Sequence, residues 1–196
     1  MKDPEQLTYA ISLLPDQEAA ARIRTAVQEL ARQCGNDFMT AHDVPPHLTL
    51  GVFHAREADL PRLRELFKEF SERARGELPK DFCLEFFGAD NFLDKVIFLS
   101  LGNAQDARKK NPALFGLNAA LHEIFLGGFE PGDNRNYIPA NWHPHIALAV
   151  KMNAAQFKKG FDFAKSLCLP KRAAAASLSL ALCKPYKEIE RVELAN

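Results

Sequence analysis

Two histidines occupy nearly identical short strings, and histidine is the side chain best suited to exchange protons near neutral pH. Residues 46–50 read Pro-His-Leu-Thr-Leu, and residues 144–148 read Pro-His-Ile-Ala-Leu. The two histidines, His47 and His145, are 98 residues apart. If both imidazoles face one cleft, they provide a general acid and a general base for a single reacting group.

The residues after each histidine indicate how the side chains are directed. Each string continues as a short apolar run with prolines nearby, which is typical of a buried strand. In a strand, residues two apart share a face. Thr49 should therefore lie beside His47, and Ala147 beside His145. If the two strands are neighbours, all four side chains line the same groove.

The rest of the chain predicts alternating strands and helices around these strings. Apolar runs and alternation predict further strands at 7–14, 81–86, 95–101, 177–182 and 188–194. Helical periodicity predicts helices after Asp16, from Leu60, from Pro112 and after Asn153. Residues 88–94 are predicted to be a turn region, so that strands 81–86 and 95–101 form a hairpin. The repeated unit is predicted as strand, helix, histidine strand, helix and two strands. The second copy is imperfect, because a helix occupies the position directly before its histidine strand.

This order predicts an α+β fold with two pseudo-symmetric lobes. Each lobe should hold an antiparallel-rich sheet with helices on its outside, and the lobes should meet at a central groove. No linker or low-complexity segment interrupts the chain. We therefore predict a single bilobal domain over residues 1–196.

Composition limits the partners and the location. Lys+Arg and Asp+Glu both total 25, so the formal net charge is zero, which argues against duplex DNA as a partner. The four cysteines form no Cys-x-x-Cys motif. The charged start is unlike a signal peptide, and no segment approaches the ~18 apolar residues of a membrane helix. We expect a cytoplasmic monomer with reduced thiols and no contact with a membrane.

The paired strings resemble the signature of the 2H phosphoesterase superfamily, most closely its 2′-5′ RNA ligase-like and cyclic phosphodiesterase branch. The resemblance implies a hydrolase that acts, without metal or cofactor, on 2′,3′-cyclic or related phosphates of nucleotides or RNA ends. It implies that one histidine activates water and the other protonates the leaving sugar oxygen. Those roles fall on His47 and His145, and phosphate binding falls on the Thr49 hydroxyl. The acid and the base cannot be told apart from the strings.

The second string departs from this family pattern at Ala147, where a threonine or serine is expected. An alanine has no hydroxyl to donate to phosphate, and loss of one donor can cost ~10²–10³ in rate at an oxyanion-type site. A water, a backbone N–H, or a loop cation such as Arg135 or Lys151 would have to take its place.

A long irregular segment, residues 129–142, leads into the second string, and loops of this length are often functional. Arg135, Tyr137 and Trp142 are its candidates for a substrate-binding lid that neutralises phosphate and stacks a base. The alternative is an ordinary surface loop with one aromatic anchor.

Two alternatives to cyclic phosphate hydrolysis remain at this point. The chain could hold a nucleotide or RNA without turnover, or with weak turnover, because of Ala147. It could also be an RNA 2′-5′ ligase, since ligation is the reverse of ester cleavage on the same groups. A zinc site built from His42, His143 and the two string histidines fits none of the usual ligand spacings, so no metal is expected.

Overall fold

The computed structural model describes residues 6–132 and 135–194 and has an α+β fold. Within these residues nine strands form one antiparallel sheet. The strands are β1 Leu7–Pro15, β2 Leu48–Ala55, β3 Cys83–Glu85, β4 Gly88–Phe92, β5 Val96–Ser100, β6 Glu130–Pro131, β7 His145–Ala149, β8 Arg172–Cys183 and β9 Tyr186–Glu193. The helices are α1 Gln17–Cys34, α2 Phe38–Ala41, α3 Leu60–Glu77, α4 Ala104–Lys110, α5 Pro112–Phe125 and α6 Ala154–Ala164.

The two histidine strands lie side by side in the middle of the sheet. The strand order is β3-β8-β1-β2-β7-β5-β4, with β6 added to β2 and β9 added to β8. Among the described residues, β2 and β7 are joined by one register pair, Leu48 opposite Ile146. The neighbouring pairs are much longer, since β1 and β2 share seven register positions. The paired length is therefore much shorter between the two histidine strands than between β1 and β2.

The internal repeat is strand, helix, histidine strand. The first unit is β1-α1-β2, and the second is β5-α5-β7, preceded by the short α4. Each histidine strand carries a bulge at the same place, because Leu50 has no partner opposite β1 and Leu148 has none opposite β5. These residues are again 98 apart. Strand β5 is therefore the counterpart of β1 in the second unit. It lies earlier in the chain, before α4 and α5, so no helix has replaced it.

The helices are exchanged between the two units. Helix α1 of the first unit packs on β7 and α6, and α5 of the second unit packs on β2 and α3. Gly51 permits the close approach of α5, because a Cβ there would come within 2.7 Å of the Leu121 side chain. Two buried asparagines make equivalent contacts between the units. The Asn118 amide, in α5, donates to the Leu50 carbonyl of β2, and the Asn36 amide, just after α1, donates to the Val150 carbonyl just after β7. The expected lobes, each with its own helices, are not confirmed, because each unit covers the strand of the other.

The predicted hairpin between strands 81–86 and 95–101 is wrong. Strand β5 pairs with β4, within the segment predicted to be a turn, and β3 pairs with β8. Gly88, Asp90 and Asn91 are residue types that are rare in strands, so the sequence did not indicate the edge strand β4. The actual turn is at Leu93 and Asp94, which both have a positive φ.

The predicted starts of the helices after Asp16 and after Asn153 are confirmed at α1 and α6. Asp16 caps α1 by accepting from the Ala19 N–H, and Gly35 ends it in the left-handed conformation. Asn153 and Gln156 form a capping box at the start of α6. The short helices α2 and α4 were not predicted. No helix in the described part of the chain is both long and apolar enough to cross a bilayer.

Candidate active site

The two histidine strings present the same face to one groove. In each string the proline and both larger apolar residues are buried, while the histidine and the residue two positions on are half-buried. Because β2 and β7 run antiparallel from the pair Leu48–Ile146, Thr49 falls opposite His145 and His47 falls opposite Ala147. The two histidines are then diagonal neighbours, whose Cα atoms are typically about 7–8 Å apart.

The groove has a volume of about 570 Å³, enough for a nucleotide-sized ligand. Its lining divides into a polar part and an apolar part. The polar lining residues are His47, Thr49, Asn136, Tyr137, Asn141, His143 and His145. The apolar lining residues are Phe38, Met39, Val44, Phe92, Leu93, Val96, Ala147 and Val150. None of the described lining residues is a lysine or an arginine.

Both imidazoles are oriented by the same local hydrogen bond. His47 Nδ1 donates to the Pro45 carbonyl, and His145 Nδ1 donates to the His143 carbonyl, each at 2.8 Å. A carbonyl can only accept, so each Nδ1 carries the proton and each Nε2 is left to exchange one. Either histidine could therefore act as the base when neutral, and as the acid once Nε2 is protonated.

Both histidines favour the neutral form in the empty groove. Burial lowers the pKa of His145 to about 4, and repulsion from His143 and His47 acts in the same direction, against the hydrogen bond to the His143 carbonyl. Burial also lowers the pKa of His47, partly offset by its bond to Pro45. An anionic phosphate between the rings would favour the charged form and raise both pKa values. The acid is thus expected to gain its proton when substrate binds.

The lowered pKa of His145 predicts a pH-dependent stability. The unfolded histidine titrates near 6.5, while the folded one stays neutral down to about 4. The unfolded state therefore binds more protons in this window, and the stability present above pH 6.5 is lost as the pH falls. Between pH 7 and pH 5 we expect this residue alone to lower the free energy of unfolding by about 2 kcal/mol. Urea unfolding at both pH values should show a smaller loss in His145→Asn than in the wild type, and equal losses would contradict the assignment.

Several groove residues were missed by the sequence analysis. The Phe92 ring meets the rings of His143 and His145 edge-on, with centroids 5.3 and 4.9 Å apart. His143, which the sequence analysis considered only for the rejected zinc site, lines the groove as well. Phe38 lies 98 residues before Asn136, which is also in the lining, so the repeat itself could have pointed to it. Nothing in the sequence marks Phe92, because its strand was predicted to be a turn.

The three loop candidates lie in three different places. Tyr137 lines the groove, where its side chain interacts with that of Thr49. Arg135 is exposed and lines a separate, smaller cavity next to His122, on another side of Tyr137. Asp133 and Asn134, part of the same predicted loop, lie outside the described residues. Only Tyr137 is thus in a position to touch a ligand bound between the histidines.

Trp142 has a packing role instead of the expected substrate contact. Its side chain is 3% exposed and stacks edge-on against Phe115, with centroids 5.1 Å apart. The indole N–H donates to the Thr49 carbonyl at 3.0 Å. A ring buried in this way cannot stack on a base. Its hydrogen bond holds the backbone of Thr49 in the first string. The prediction that Trp142 belongs to a substrate-binding lid is therefore corrected to a packing role.

The described residues contain no group of three or more histidine, cysteine, aspartate or glutamate side chains arranged to hold a metal ion. His143 faces the negative charge of Asp90, which opposes the lowering of its pKa by burial. Metal independence stays a prediction from the sequence.

Comparison with known proteins identifies the family of this chain and proteins of similar fold. The model of the 2′-5′ RNA ligase superfamily matches residues 14–181. The apo crystal structure of Escherichia coli LigT is 18% identical, covers 98% of this chain and 99% of its own, and superposes with a TM-score of 0.51. LigT complexed with 3′-AMP is 15% identical over the same shares, with a TM-score of 0.49. Kluyveromyces marxianus Usb1 is 15% identical over 96% and 98% of the chains, with a TM-score of 0.47. No curated protein sequence matches this chain.

Proposed function

Because this chain belongs to the 2′-5′ RNA ligase superfamily, we propose that it hydrolyses 2′,3′-cyclic, or related cyclic, phosphates of nucleotides or RNA ends without a metal. The observation that carries the proposal is the pairing of the two histidine strands. His47, Thr49 and His145 all line the groove formed there.

The proposed reaction is an in-line displacement at phosphorus. Nε2 of one histidine takes a proton from water while the water oxygen bonds to phosphorus. Nε2 of the other gives a proton to the sugar oxygen as its bond to phosphorus breaks, which leaves a phosphate monoester. The matched Nδ1 bonds of His47 and His145 leave the direction of proton transfer open. The Thr49 hydroxyl would donate to a non-bridging oxygen.

The lining favours a small substrate with a single reacting phosphate. Without lysine or arginine in the described lining, the groove has no fixed cation to hold a chain of phosphates. The apolar lining residues, which include Phe38 and Phe92, suit the base or sugar of a nucleotide, since bases stack on aromatic rings. The substrate partner is thus proposed to be a nucleotide or an RNA end, bound by a cytoplasmic monomer.

Turnover of nucleoside 2′,3′-cyclic phosphates in excess EDTA tests the proposal. We expect a monoester product at the same rate with and without EDTA, because protons and hydroxyls from the chain supply all the catalysis. Chromatography of the four common nucleoside cyclic phosphates would detect the product and its isomer. Activity that EDTA abolishes and zinc restores would contradict the proposal.

The same experiment separates the alternative functions. Saturable binding of the cyclic phosphate without product would favour a non-catalytic binding protein, for which the alanine at position 147 is the motivating observation. Joining of RNA ends, tested with a 2′,3′-cyclic phosphate end and a 5′-hydroxyl end, would favour 2′-5′ ligation. The zero net charge favours a small nucleotide as the substrate over long RNA, whether that RNA would be bound or ligated.

A further inference from the structure

The second histidine string lacks the hydroxyl that the first one has, yet the groove holds two hydroxyls. Thr49 supplies one from the first strand, and Tyr137 supplies the other from the loop before the second strand. Tyr137 lies 98 residues after Met39, and both line the groove. The second unit thus has no hydroxyl at Ala147, the position that corresponds to Thr49. It has one at Tyr137, the position that corresponds to the apolar Met39.

The backbone of Tyr137 is tied to the first histidine strand. The Asn118 amide donates to the Tyr137 carbonyl at 2.8 Å and to the Leu50 carbonyl at 2.6 Å. Asn118 is fully buried in α5, and Leu50 is the bulge residue three positions after His47. One side chain thus holds the loop against the strand that carries the histidine. This contact holds the backbone of Tyr137 next to β2.

The hydroxyl of Tyr137 is placed and protonated to donate. Burial raises the pKa of Tyr137, and the interaction with the Thr49 side chain acts more weakly in the opposite direction, so the phenol keeps its proton near neutral pH. A hydroxyl has one proton to donate and can also accept. The two side chains lie together in the lining of the empty groove. An anionic oxygen at this point would accept from both, and such charge-assisted bonds are the stronger kind.

The cations considered from the sequence are less well placed. Arg135 lines a different cavity. Lys151 Nζ lies 4.0 Å from the centroid of the Phe38 ring, and Lys151 is not among the described lining residues. Neither residue shares a contact with Thr49 as Tyr137 does.

We infer that Tyr137 is a phosphate-binding residue that replaces the missing hydroxyl of the second string, so that Thr49 and Tyr137 together bind the non-bridging oxygens of the substrate. The inference rests on the proposed function for its kinetic consequences. It differs from the expected stacking role, because it assigns the function to the hydroxyl and not to the ring.

Four proteins test this: wild type, Tyr137→Phe, Ala147→Thr and the double variant. Tyr137→Phe keeps the ring and should lower kcat/KM on a nucleoside 2′,3′-cyclic phosphate at least about tenfold, towards the ~10² seen for single oxyanion donors. Ala147→Thr should change the wild type little, since two donors are already present. In the double variant, the hydroxyl introduced by Ala147→Thr should restore most of the loss. Tyr9→Phe, which removes a hydroxyl near Glu57 and Asp59 and away from both cavities that His47 lines, is the matched control and should keep wild-type activity.

Binding of inorganic phosphate separates failure of this inference from failure of the proposed function. By isothermal titration, Tyr137→Phe should weaken phosphate binding about tenfold, with an unchanged melting temperature. If the wild type turns over substrate and Tyr137→Phe matches it, the inference is overturned and the proposed function stands. A loss that Ala147→Thr does not relieve also overturns it. If the wild type has no activity, weaker phosphate binding by Tyr137→Phe still supports the inference, and unchanged binding rejects it.

Discussion

Replacing either His47 or His145 by alanine should lower kcat/KM on a 2′,3′-cyclic nucleotide by at least ~10²-fold, because each replacement removes a positioned acid or base. The loss should appear mainly in kcat, since the proton transfers occur in the transition state. Steady-state kinetics on variants with wild-type circular dichroism would measure it. The same variants in EDTA and in added zinc would show whether the lost group was acting on a metal.

The double variant of His47 and His145 sharpens this expectation. Residues that act as a unit are non-additive, so removing both histidines should cost little more than removing one. The control is His54→Gln, a histidine farther along β2 whose Nδ1 lies 3.4 Å from the Thr8 hydroxyl. It should keep wild-type kinetics. Two independent, multiplying losses would mean that the histidines do not serve one phosphate.

Trp142→Ala should destabilise the protein by about 3–5 kcal/mol, the usual cost of removing a large buried aromatic side chain. It removes the contact with Phe115 and leaves the Thr49 carbonyl without its donor. Urea denaturation at pH 7 would measure the loss. The result separates a packing role from the base-stacking role that the sequence suggested.

Trp142→Phe is the matched variant, since it keeps a ring but removes the indole N–H. Leaving the Thr49 carbonyl unpaired should cost about 1–3 kcal/mol. Where the variant remains folded, KM for different bases should change by the same factor, because the ring does not reach the groove. A stable Trp142→Ala protein with a KM raised for one base only would restore the lid assignment.

The central pair was predictable because strand geometry is local. The strings around His47 and His145 fix which side chains share a face, and both strands have the predicted alternation of burial. The α+β class and the caps of α1 and α6 followed from equally local signals. Family membership then agrees with the paired strings.

The long-range features were not predictable in this way. The exchange of α1 and α5 between units depends on contacts between distant segments, such as that of Gly51 with Leu121. The fate of the loop aromatics depends on burial, which sequence spacing does not encode. Tyr137 and Trp142 have similar sequence contexts, yet one ring lines the groove and the other supports the strand from behind.

The position of a bound phosphate tests the central claim most directly. A crystal structure of the protein with inorganic phosphate should show one phosphate in the groove, with Nε2 of His47 and Nε2 of His145 each within about 2.6–3.2 Å of its oxygens. The Thr49 hydroxyl should contact the same phosphate. A phosphate bound elsewhere, or imidazoles too far apart to reach one phosphate, would contradict the account.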